Sequence, residues 1–171
     1  MEKNLYTPYE NYLGGKPLIF LAGPIIGAPN WQQEAVNIIH RQNSDIIIAS
    51  PRHLDKKQDS FLLEQQVDWE SFHLNKAANN GVILFWLAKE IEHRCDRPYA
   101  QTTRFELGEW KTKQQNNDFM YLVVGIEDGF TNSHYIERRL QQDCPNVPIS
   151  RKLEETCNNA IKMLTTSPNR A

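Results

Sequence analysis

Two glutamates carry the strongest chemical signal in the chain. Glu106 lies in Thr102-Thr103-Arg104-Phe105-Glu106-Leu107-Gly108, which reads as the opening turn of a helix after an apolar strand. A helix dipole favours an ionised carboxylate there, and Gly108 leaves room for close approach. Glu70 lies on a helix expected over 61–79, whose apolar stripe reads Leu63, Val67, Leu74, Ala77 and Ala78. At about 100° per residue, Glu70 falls near the middle of that stripe, with His73 at its edge. A carboxylate on a core-facing stripe is costly unless it is paired or opens on a cleft. Two carboxyls in one cleft repel, so one holds a proton and serves as an acid while the other stays ionised. Each glutamate also has a purely structural reading: Glu106 stabilising a helix start, Glu70 pairing with an arginine.

Weaker signals surround them. Gly23-Pro24 ends an apolar run, where a backbone can approach a phosphate or sugar. His93, Cys95 and Asp96 stand close together, but His-x-Cys lacks the spacing of a zinc site, so no metal is expected. Phe85, Trp69 and Trp86 have faces that can stack on a base, although aromatics at such positions usually fill cores. There is no G-x-G-x-x-G, no Walker sequence and no Ser/His/Asp or Cys/His set, so no cofactor is expected.

The elements that must position these residues alternate. Strands are expected at 17–22, 45–49, 82–88 and 119–124, with a weak fifth at 147–149. Helices are expected after Asn30, over 61–79, over about 104–114 behind a Thr102 or Thr103 cap, over 133–142 and over 152–164. Short apolar strands alternating with helices give an α/β domain. The layout is flavodoxin-like or Rossmann-like, with a parallel five-stranded sheet and helices on both faces. Residues 1–16 read as an arm, 17–164 as one domain and 165–171 as a tail. Ligands of such sheets sit beyond the carboxyl ends of the strands, at loops 23–30, 51–60, 87–103 and 125–132.

Composition narrows the classes. The 171 residues suit one domain, and 40% hydrophobic with 23% charged residues is ordinary globular usage. A net charge of -2 gives no footprint for duplex nucleic acid, and no apolar run is long enough for a membrane span. Met1-Glu2-Lys3-Asn4 lacks the apolar core of a signal peptide, and three irregularly spaced cysteines suit reduced thiols, so a cytoplasmic protein is expected.

Several of these segments, in order, resemble the nucleoside 2-deoxyribosyltransferase family, in its broader "like" branch. They are Ile19-Phe20-Leu21-Ala22-Gly23-Pro24-Ile25, Asn30-Trp31, Ser50-Pro51-Arg52, Trp69-Glu70 with Leu74, Ile83-Leu84-Phe85-Trp86-Leu87 and Phe105-Glu106-Leu107-Gly108, across about residues 17–126. The resemblance implies a flavodoxin-like fold and cleavage or transfer at the N-glycosidic bond of a nucleoside or nucleotide. It implies Glu106 as nucleophile, forming a glycosyl ester, with Glu70 or Asp96 handling the leaving base. Phe20, Gly23, Pro24, Ile25, His73, Trp86 and Thr103 would line the substrate site, and a homo-oligomer would complete it. Two positions depart from the family pattern. Phe20 stands where family transferases carry a tyrosine, and Ala100 where they carry an aspartate. The alternative is a non-catalytic nucleotide-binding or sensing module on the same fold.

Overall fold

The computed structural model describes residues 3–8, 10–52 and 63–166. Its elements run β1 (Leu5–Tyr6), β2 (Leu18–Ala22), α1 (Trp31–Gln42), β3 (Ile47–Ala49), α2 (Leu63–Asn80), β4 (Gly81–Leu87), α3 (Gln101–Gln115), β5 (Tyr121–Ile126), α4 (Ser133–Asp143), β6 (Ile149–Ser150) and α5 (Leu153–Thr166). The sheet has six strands in the order β1-β3-β2-β4-β5-β6, and every neighbouring pair is parallel.

The sequence patterns predict five strands; the sixth is β1, inside the arm expected to be loop. It is two residues long and joins the sheet through main-chain pairing. The Ile48 N–H donates to the Asn4 carbonyl at 2.8 Å and the Ser50 N–H to the Tyr6 carbonyl at 2.9 Å. Side-chain periodicity has nothing to register over two residues.

The alternation of strand side chains divides the core into two layers. Phe20, Ala22, Ile83, Phe85 and Leu87 face α2, α3 and α4, where Trp69, Leu74, Leu107 and Leu140 meet them. Ile19, Leu21, Leu84, Trp86 and Val123 face α1 and α5. Apolar residues on both faces of β2, β4 and β5 follow from this double cover. Each large side chain buried here contributes about 1.5–3 kcal/mol of transfer free energy.

Asn30 caps α1 as the sequence predicts, its Oδ1 accepting the Gln33 N–H at 3.3 Å. The start of α3 differs. Neither Thr102 nor Thr103 is its cap; Ala100 precedes the helix in a left-handed conformation at φ 55°, with no side-chain cap. The helix therefore begins at Gln101, and Glu106 falls in its second turn. Most of the polar loop expected over 51–60, the first two residues of the helix expected from 61 and the end of the tail lie outside the described residues.

Candidate active site

Glu70 on α2 and Glu106 on α3 lie near enough for the charge of Glu70 to act on Glu106. The buried face of α2 is Trp69, His73, Leu74 and Ala77, which puts Glu70 against the core. The stripe read from the sequence is partly wrong: Leu63 and Val67 are 77% and 50% exposed. Glu70 is inward-facing because of the aromatic and small residues around it, not because of that aliphatic pair.

Burial pushes the Glu106 carboxyl up to about 8, and the nearby charges of Glu70 and Glu109 add to the rise. Burial also raises Glu70, opposed by the amide of Gln66, whose Nε2 donates to Glu70 Oε1 at 2.5 Å. The sequence analysis expects a dipole-stabilised, ionised Glu106. The second-turn position weakens that effect, which fades beyond the first turn, and desolvation prevails. Near neutral pH the Glu106 carboxyl, raised to about 8, keeps its proton. The Gln66 bond favours the charged form of Glu70 and opposes the effect of its burial.

Asp96 sits elsewhere in character. It is exposed and forks onto Arg94, with Nε at 3.0 Å and Nη2 at 2.8 Å. That guanidinium holds its carboxyl below the usual range, so Asp96 is a poor proton donor at neutral pH.

The side chains expected to line a pocket divide into three groups. Phe20 lies in the α2–α3 layer, its ring 6.1 Å from that of Trp69, under the helix that carries Glu70. Thr103 is buried one turn before Glu106. Gly23, Pro24 and Ile25 form the turn after β2. A Cβ on Gly23 would strike the Trp86 carbonyl and the Trp31 ring, and the Pro24 carbonyl accepts the Trp31 indole N–H at 2.9 Å.

Trp86 and His73 are structural in this arrangement. Trp86 belongs to the opposite layer, against α1 and α5. His73 is 0% exposed and both ring nitrogens are engaged. Its Nε2 accepts the Tyr12 N–H at 3.1 Å, which leaves Nδ1 as the donor to the Trp69 carbonyl at 2.8 Å. The ring is thus a neutral clasp for the arm, helped by the Trp69 indole N–H on the Glu10 carbonyl at 2.8 Å.

Two features escaped the sequence reading. Gln66 stands one turn before Glu70, a spacing that favours side-chain contact. Gly27, at φ +79°, turns the loop after β2 so that its carbonyl accepts the N–H groups of Ile91 and Glu92 at 2.8 and 3.2 Å. That joins the loops after β2 and β4.

A groove of about 410 Å³ between α3 and α4, lined by Arg104, Leu107, Lys111, Ile136 and Arg139, does not include the glutamates. Glu106 projects from the other side of α3. The groove holds mainly apolar and ion-paired surface. No group of three or more His, Cys, Asp or Glu suited to a metal occurs among the described residues, and no described helix is long and apolar enough to cross a membrane. The chain matches no model of a known protein family and no curated protein sequence.

Proposed function

We propose that the chain cleaves or transfers at the N-glycosidic bond of a nucleoside or nucleotide, with Glu106 as nucleophile and Glu70 as proton donor. The observation that carries this reading is a buried carboxyl on each of α2 and α3, with the charge of Glu70 acting on Glu106. Before attack the proton of Glu106 moves to Glu70. The Glu106 carboxylate then bonds to the anomeric carbon, the carbon–nitrogen bond breaks, and the departing base takes the proton of Glu70. Water or a second base attacks the ester and returns its proton to Glu70, which restores the pair. The positive charge that develops on the sugar ring is met by the carboxylate that forms beside it.

Among the described residues, the exposed Leu63, Val67 and Phe105 on α2 and α3 support a second copy of the chain covering the site. Three free thiols, Cys95, Cys144 and Cys157, support a reducing, cytoplasmic setting.

One observation favours the non-catalytic alternative: raised to about 8, Glu106 keeps its proton near neutral pH rather than presenting a ready carboxylate. Incubation with nucleosides, nucleotides and NAD, followed by chromatography for free base, separates the two. Base release supports the enzyme; tight binding without turnover supports the module. A 2-fluoro-sugar nucleoside should leave its sugar mass on the peptide that contains Glu106. A sugar adduct on any other peptide overturns the assignment of the nucleophile.

A further inference from the structure

On the opposite face of the sheet, the chain ends of β1, β2 and β3 meet in a small polar pocket of about 170 Å³. Thr7, Asn30, Gln32, Gln33, Ser50 and Arg52 line most of it. Arg52 anchors the loop after β2. Its Nε donates to Gln32 Oε1 at 2.8 Å, and its Nη2 to the carbonyls of Ile25 at 3.2 Å and Pro29 at 3.0 Å. All three partners are neutral, and among the described residues Nη1 has none. A guanidinium keeps its charge in proteins even where burial lowers its pKa, as it does here. The pocket therefore contains a full positive charge, and among the described residues that line it there is no carboxylate.

Two further donors converge on the same space. Ser50 is only 4% exposed, yet among the described residues its hydroxyl has no partner. The pocket also sits at the N-terminus of α1, a helix of 12 residues. Asn30 satisfies the Gln33 amide, and the amides of Trp31 and Gln32 have no partner among the described residues. The acidic residue of that first turn, Glu34, does not line the pocket; its charge acts on Cys157 of α5.

We propose that this pocket is an oxyanion site that takes a phosphate or a phosphate monoester. The Arg52 guanidinium, the Ser50 hydroxyl and the amides that open α1 can all donate, and among the described residues none of them meets an anion. A volume of about 170 Å³ is enough for a tetrahedral oxyanion. This inference stands on the α1 face and does not depend on the glycosidic reading of the α2–α3 seam.

The test is a titration of the full chain with inorganic phosphate, followed through the backbone amide resonances of residues 31–33, with chloride at equal ionic strength as control. The amides of Trp31 and Gln32 should shift saturably with phosphate alone. Ser50→Ala and Arg52→Met should each weaken the affinity by at least about tenfold, as expected for hydrogen bonds to a charged group. Should Arg52→Met fail to fold, Ser50→Ala and Arg52→Lys decide, each checked for an unchanged thermal midpoint. A nucleoside 5′-monophosphate that binds more tightly than inorganic phosphate identifies an ester as ligand; the reverse order identifies the free ion. Shifts that chloride reproduces, or an affinity unchanged in Ser50→Ala, overturn the site.

Discussion

The α2–α3 seam and the α1 pocket lie on opposite faces of one sheet, and burial acts on them in opposite ways. The seam gathers two carboxyls and a neutral amide. The pocket gathers a guanidinium and neutral acceptors. A carboxyl denied water escapes its charge by taking a proton, so the seam becomes a proton store. A guanidinium has no such escape and must be surrounded by oxygen atoms. The first region can therefore change its charge with pH, whereas the second is a fixed charge that orders a loop.

The most severe way to break this contrast is Glu106→Ala. It should reduce base release to background while leaving the fold intact, measured by chromatography and by circular dichroism. Removal of one member of a catalytic unit commonly costs as much as removal of the whole. Base release like that of the unaltered chain would move the chemistry to Glu70 or Asp96.

Next in size is the pH dependence of stability. Glu106 is raised to about 8 from 4.5. Between those values the folded state binds a proton that the unfolded state does not, so stability is greatest below 4.5 and falls as pH rises toward 8. The slope is at most about 1.4 kcal/mol per pH unit. Urea unfolding across that range should show the decline, and Glu106→Gln should flatten it. His73 works the other way, because burial lowers its pKa. Its contribution is complete above about 6.5 and is lost as pH falls through the lower, folded value. His73→Gln should remove that acid-side loss, read as faster proteolysis of the arm in the unaltered chain only.

Gln66→Ala should have a smaller effect. Without its amide Glu70 rises further and holds the proton more firmly, so the acid limb of the rate profile should move upward in pH. The rate should fall by about tenfold, the scale of one hydrogen bond to a charged group. An unmoved profile would separate Gln66 from the pair. Phe20→Tyr is the mildest change. The added hydroxyl would point into the layer beneath α2 and should raise the rate a few-fold if it reaches Glu106. No change would show that the ring under Trp69 only packs.

Much of this arrangement was legible because it rests on side-chain pattern. The apolar strands, the Asn30 cap and the inward position of Glu70 all follow from periodicity. The parts that escaped rest on backbone. Nothing about an alanine announces that Ala100 will start α3 in a left-handed conformation, so the register of Glu106 was misjudged by a turn. Leu63 and Val67 fit a helical period but sit where α2 stands clear of the sheet. The pairing of β1 uses main-chain groups that every sequence has.

The Gly27 carbonyl, shared by two amides of the next loop, has a mechanical consequence. The segments after β2 and β4 are tied at one atom, so neither can swing without carrying the other or breaking both bonds. A Cβ at that position would lie 2.8 Å from the Glu92 carbonyl oxygen. The knot therefore tolerates only glycine, and slackness at residues 91–92 would be felt at Gly27, far along the chain but one hydrogen bond away.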